Sequence, residues 1–153
     1  MISFWTMPHV VFGVWGVMVA VWALVEVLNV SEKNVGRIKT ASVLAMVFNW
    51  LAYLIGGWWY VTYYAADKAK ILKGPFPLAH KFFMETKEHL FFILLLLCMV
   101  LPIIAYKENL IQNKGARRLF IVVAVTMIII GFGAEGFGSM ITEGLRLGLL
   151  GGK

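Results

Sequence analysis

The sequence predicts an all-α integral membrane protein, a single domain spanning residues 1–153 in which four helices form an up-down bundle. Of its 153 residues, 61% are hydrophobic and 14% are charged, whereas roughly half of a soluble domain is apolar. The charged residues fall between long apolar runs and do not alternate with apolar residues along amphipathic helices. Four runs reach the roughly 20 residues that a helix needs to cross a bilayer. They cover residues 6–29, 41–65, 84–106 and 118–139.

The first run is expected to remain in the protein as a transmembrane helix. Its apolar stretch, Pro8 to Val30, is too long for a signal-peptide core and lacks both a basic region before it and a clear cleavage site. Lys33, Arg37 and Lys39 follow it closely, so the positive-inside rule predicts that both termini lie on the non-cytoplasmic side. We expect the protein in the cell membrane or another energy-transducing membrane.

Short polar connectors separate the other runs. The second connector, Ala66 to Pro77, contains the turn sequence from Gly74 to Pro77, and the third covers Lys107 to Arg117. Connectors of this length favour antiparallel neighbours, so both termini share one end of the bundle, which we call the terminal end. From Ile141 onward, leucines mixed with glycines and charges predict a short interfacial tail.

The charge and the single cysteine exclude several classes of function. The formal net charge is +6, but the lysines and arginines flank the spans, where they anchor helices to lipid headgroups, so no nucleic-acid partner is expected. Cys98 lies alone within an apolar run and has no partner for an intrachain disulfide or a thiolate metal site. No phosphate loop, dinucleotide fingerprint or catalytic triad is present, and no catalytic residue is predicted.

Several ionisable side chains are predicted at one level near the terminal end. Each costs about 2.5–3.5 kcal/mol at the bilayer centre and less near the interface, so each is a candidate for function. Because the helices alternate in direction, five such residues reach this level: His9, Glu85, Glu88, His89 and Glu135. His80 lies nine residues before His89 and points nearly opposite, so it is the histidine least expected in an internal site.

Small residues at steps of three and four predict the inward faces of three helices. The stripes contain Gly13, Gly16, Ala20 and Ala23 after His9; Ala45, Asn49, Ala52 and Gly56 in the second run; and Ala124, Gly131, Glu135 and Gly138 in the fourth. Such stripes more often indicate plain helix packing than room for a cofactor. Their coincidence with polar residues at one depth is what favours a site.

Our first functional hypothesis is a membrane electron-transfer component or subunit. His9 and His89 would be the axial ligands of a b-type haem held between the first and third helices near the non-cytoplasmic face. Gly13, Gly16, Gly56 and Gly131 would leave space for the macrocycle. A membrane quinone is the expected electron partner.

Two alternatives remain open from the sequence. One is an intramembrane transition-metal ion with nitrogen and oxygen ligands from His9, His89, Glu85, Glu88 and Glu135. The other is a non-catalytic accessory subunit whose glycines and aromatic residues contact other membrane subunits, or further copies of the chain in a homo-oligomer. Trp and Tyr residues near the terminal end are interpreted as ordinary interfacial residues.

Overall fold

The computed structural model describes residues 6–151 and confirms the all-α four-helix bundle. All four helices are long and apolar enough to cross a membrane, which indicates an integral membrane protein. A π-helical turn, Ala79–Met84, leads directly into the third helix. The helices are α1, Thr6–Leu28; α2, Val35–Lys73; α3, Glu85–Lys107; and α4, Lys114–Leu150.

The helices form a ring in which each packs against the two beside it, and α2 and α4 also contact each other across the ring. α1 contacts α2 and α4, and α3 contacts the same two helices. Within residues 6–151, α1 and α3 make no close backbone contact and therefore occupy opposite corners of the bundle. A ligand held between α1 and α3 must consequently reach across the bundle centre.

The small-residue stripes lie at the helix contacts, as predicted. On α1, Gly13, Gly16, Ala20 and Ala23 are all buried. Large apolar side chains point outward instead, with Leu96 68% exposed and Ile129 66% exposed. This reversal of the soluble pattern is typical of a bundle in lipid, where small residues allow close helix approach and the surface can be apolar.

The structure differs from the expected C-terminal tail, because α4 continues without interruption to Leu150. The glycines of this segment face the terminal end of α2 and the π-helical turn. A Cβ atom placed on Gly148 would lie 2.5 Å from the Lys70 carbonyl oxygen, and one on Gly144 would meet the Ala79 Cβ atom. The glycines therefore allow a close helix contact that supports the last turns of α4.

α2 and α4 are longer than a bilayer requires. With 39 and 37 residues they extend about 58 Å and 56 Å, against a hydrocarbon core about 30 Å thick. The main core of the bundle is built around buried residues such as Val27, Ala41, Leu101 and Phe120. Beyond it, a second apolar cluster, which we call the terminal cluster, joins the terminal ends of α2 and α4 to the π-helical turn. Its buried members are Tyr64, Ile71, Ala79, Met84 and Ile141.

His80 is buried in this terminal region and is 4% exposed. Its Nδ1 atom lies 3.0 Å from the Tyr64 hydroxyl, and its Nε2 atom lies 3.5 Å from Glu85 Oε1. His80 thus fastens the π-helical turn to α2, away from the interior of the main bundle.

Candidate functional site

A cavity of about 510 Å³ lies between the main core and the terminal cluster, a size within the usual range for small-molecule sites. Tyr53 and Phe91 form its border with the main core, and Met84 and Ile141 form its border with the terminal cluster. Its lining residues are Thr6, His9, Val10, Tyr53, Gly56, Gly57, Trp59, Tyr60, Val61, Met84, Lys87, Glu88, Phe91, Phe92, Glu135, Gly138, Ser139, Ile141 and Thr142.

The rim of the cavity is apolar and exposed. Val10 on α1 is 41% exposed, Val61 on α2 is 82% exposed and Phe92 on α3 is 56% exposed. Exposed apolar side chains of membrane-spanning helices contact lipid. The rim of the cavity therefore has the apolar character of a lipid-facing helix surface.

His9 is held in a defined orientation at the cavity wall. Its Nδ1 atom lies 2.8 Å from the Ala52 carbonyl oxygen, so Nδ1 carries the proton and donates the hydrogen bond. Because this carbonyl lies on α2, the bond ties α1 to α2 and fixes the imidazole ring. The Nε2 atom of this tautomer is the remaining acceptor or ligand position.

A charged pair from α3 and α4 forms another part of the lining. Lys87 and Glu135 are both half-buried and close enough to interact electrostatically. Each is accommodated by a glycine: a Cβ on Gly13 would lie 2.5 Å from Glu135 Oε1, and a Cβ on Gly138 would lie 3.0 Å from Lys87 Nζ. Opposite charges at this depth reduce the cost that either would have alone.

Two polar atoms in the lining residues are buried without a hydrogen-bond partner in the described protein: Trp59 Nε1, a donor, and Glu88 Oε1, an acceptor. A buried polar atom without a partner costs about 1–3 kcal/mol. The Tyr60 hydroxyl also lies beside the Glu88 carboxylate. Both residues line the cavity, so it is bordered by one donor and one acceptor that the described protein leaves without a partner.

The space beside the glycines that were predicted to contact a cofactor is occupied mainly by protein side chains. Gly16 faces the Asn49 amide, with a hypothetical Cβ 2.8 Å from its nitrogen, and Gly131 faces a Val17 methyl group at 2.5 Å. Gly56 faces the His9 ring, again at 2.5 Å. Of the four glycines proposed as cofactor contacts, only Gly56 lines the cavity.

The predicted site residues separate into two groups. His9, Glu88 and Glu135 line the cavity, whereas His89 and Glu85 do not. His89 is exposed, and its Nδ1 atom lies 2.6 Å from the Glu85 carbonyl oxygen on the outer face of α3. The structure thus brings three of the five predicted ionisable residues to one cavity and leaves the other two outside it.

The described part of the chain contains no group of three or more His, Cys, Asp and Glu side chains placed to hold a metal ion. The cavity instead includes Lys87, which is not among the five ionisable residues predicted from the sequence. Its signal was available, since Lys87 reaches the same level as Glu135 and a buried carboxylate in a membrane usually has a cationic partner. Trp59 was likewise interpreted only as an interfacial residue.

The surroundings of His9, Lys87 and Glu88 favour a ligand with a polar head and an apolar remainder. Aromatic rings form one side of the space, with Tyr53 centred 5.9 Å from Phe91 and 5.7 Å from Phe92. Such rings can stack against a flat ligand.

No protein-family model matches this chain, and comparisons with curated proteins and with solved structures gave no match.

Proposed function

We propose that the protein binds a lipophilic molecule with a polar aromatic head in the cavity beside His9, as a component of a membrane electron-transfer system. The observation that carries this proposal is the gradient within the cavity, from the exposed apolar rim at Val61 and Phe92 to the polar lining at Lys87 and Glu135. A membrane quinone has this distribution of polarity. Its head would lie among the polar residues, and its tail would extend between the helices into lipid.

The proposal is tested by titrating a decyl-tailed benzoquinone into the detergent-purified protein and measuring the heat of binding. We expect saturable binding of one molecule per chain. Gly57→Phe should weaken it strongly, because Gly57 lines the cavity and a Cβ there meets no protein atom within 4 Å, so the added ring has open space to fill. Gly136→Phe is the matched control, since Gly136 is equally unobstructed but lies outside the cavity.

Binding that is absent in the original protein, or equal in both phenylalanine variants, would contradict the proposal. The first result would mean that the cavity takes no such ligand. The second would mean that the ligand partitions into the detergent or binds elsewhere on the apolar surface.

A second candidate is a haem with His9 as an axial ligand. His9 favours it, because a histidine that ligates a metal usually donates its other ring N–H to a carbonyl or carboxylate, as His9 does to Ala52. With His89 as the second ligand, the haem would require a change at the terminal end of α3, where His89 now bonds to the Glu85 carbonyl. The visible absorption spectrum of the dithionite-reduced sample tests it, since a bis-histidine haem gives a sharp α-band.

Metal analysis of the same sample tests for a carboxylate-bound ion, for which Glu135→Gln should weaken binding while sparing a haem.

The accessory-subunit proposal is compatible with a lipid-accessible cavity, since an adjacent subunit could receive electrons from the bound molecule. We further propose that the terminal end faces the non-cytoplasmic side, because Lys33, Arg37 and Lys39 closely follow α1.

A further inference from the structure

Two polar atoms of the cavity lining distinguish the oxidised from the reduced form of a bound quinone, an inference that rests on the proposed function. Trp59 Nε1 is a donor only, and Glu88 Oε1 is an acceptor when the carboxyl group is ionised. Both atoms are buried and have no hydrogen-bond partner in the described protein. A ligand that satisfies both must present an acceptor and a donor at its polar end.

The oxidised and reduced forms of a quinone differ in this respect. A quinone has carbonyl oxygens, which accept hydrogen bonds and donate none. A hydroquinone has hydroxyl groups, which both donate and accept. While the Glu88 carboxyl group is ionised, only the hydroquinone can satisfy Trp59 and Glu88 together, because the quinone would leave the Glu88 oxygen without a donor.

The other residues around Glu88 agree with this distinction. The Tyr60 hydroxyl beside Glu88 can turn its proton toward the carboxylate, but Glu88 Oε1 is left over. Lys87 is the nearest cation along α3, but it interacts electrostatically with Glu135, and its Nζ atom lies beside Gly138. The Glu88 Oε1 atom is thus left without a hydrogen-bond donor in the described protein.

We propose that the cavity selects the reduced, hydroxyl-bearing form of a lipophilic quinone, with Glu88 accepting a hydrogen bond from one hydroxyl and Trp59 donating one to a ring oxygen. Glu88 is the residue that determines specificity for the reduced form, and Trp59 contributes affinity for every form of the ligand. The aromatic wall of Tyr53, Phe91 and Phe92 contacts the ring irrespective of its redox form.

The experiment compares three probes that share a ring and a decyl tail: the hydroquinone kept reduced under argon, the quinone, and the hydroquinone dimethyl ether. The ether retains acceptor oxygens but has lost both donors. Calorimetric titration of the detergent-purified protein should give a Kd for the hydroquinone lower by about tenfold or more than for the other two, since a site built around a hydrogen bond discriminates strongly against a ligand without it.

Two variants assign the difference to individual residues. Glu88→Leu should raise the Kd of the hydroquinone to that of the ether and leave the ether unchanged. Trp59→Phe should weaken all three probes to a similar extent, because each presents an oxygen that accepts from the indole. Glu85→Leu is the matched control, a carboxylate three residues earlier on α3 that lies outside the cavity and should not alter the order of affinities.

The outcomes separate this inference from the proposed function. Saturable binding of all three probes with equal affinity would overturn selection of the reduced form while leaving the cavity as a quinone site. Absence of binding by any probe would overturn both. If Glu88→Leu does not fold, the comparison of the three probes on the original protein still decides the question.

Discussion

Replacing Gly56 by alanine is the most direct test of how His9 is held. A Cβ atom at position 56 would lie 2.5 Å from His9 Nδ1 and 2.8 Å from its Cε1 atom, well inside contact distance. The ring cannot move away freely, because Nδ1 donates to the Ala52 carbonyl at 2.8 Å. The substitution must therefore displace the imidazole or push α1 away from α2.

The expected cost follows from two contributions. Inserting a methyl group into a packed contact costs about 1–3 kcal/mol. Losing the His9 hydrogen bond costs about 0.5–1.5 kcal/mol. Together they predict that Gly56→Ala lowers the free energy of unfolding by about 1.5–4.5 kcal/mol relative to a glycine-to-alanine change without the clash.

Gly57 provides that comparison on the same helix. A Cβ there meets no protein atom within 4 Å, and Gly57→Ala gains the same helix propensity, about 1 kcal/mol over glycine. The difference between the two variants therefore removes the propensity contribution. It is measured by reversible unfolding in mixed micelles, with the helical circular dichroism signal followed as denaturing detergent is added.

Equal stability of the two variants, within about 0.5 kcal/mol, would refute the reasoning that Gly56 is required by His9. A double-mutant cycle adds a second test. In the His9→Ala background the clash has no partner, so Gly56→Ala should lose most of its penalty. A penalty that persists there would assign the role of Gly56 to the approach of the helix backbones and not to the histidine.

Two further predictions concern the ends of the bundle. Asn34→Ala should lower the free energy of unfolding by about 1–3 kcal/mol, because this buried side chain donates to the end of α1 and accepts from the connector backbone. Its control is the neighbouring, exposed Lys33, and Lys33→Ala should change the free energy of unfolding little. Gly148→Ala should lower the free energy of unfolding by a similar amount, about 1–3 kcal/mol, since its Cβ would meet a backbone carbonyl of α2 that cannot rotate away. Gly136→Ala is its control, because a Cβ at position 136 meets no atom within 4 Å. Both are checked by the same unfolding measurement, and equal effects of either variant and its control would contradict the contact assigned to it.

The fold could be predicted from the sequence because lipid imposes a simple requirement. A long apolar run must be helical, and the short connectors make the helices antiparallel. The faces of α1, α2 and α4 also followed from their small residues. The C-terminal segment was harder, since Gly144 and Gly148 resemble a flexible tail until the facing surface of α2 and the π-helical turn is known.

The candidate site could be predicted only in part, and α3 accounts for most of the difference. Its sequence from Leu90 to Leu97 is apolar on every side, so no stripe of small residues distinguishes an inward face. Glu85 and His89 do share one face, as their spacing indicates, but that face is the outer one. The inward positions of Lys87 and Glu88 depend on the rotation of α3 in the bundle, which the sequence pattern leaves undetermined.

The pairing of glycines with polar side chains has a consequence for how the helices find their alignment. Gly16 faces Asn49, and Gly56 faces His9, so two such pairs join α1 to α2. A slide by one helical turn, about 5.4 Å, would carry Asn49 to the level of Phe12 or Ala20 and would separate both pairs at once. Lipid supplies no hydrophobic force that would choose among these registers. The two pairs thus determine the register of the antiparallel helices α1 and α2, because only one register places both polar groups opposite a glycine.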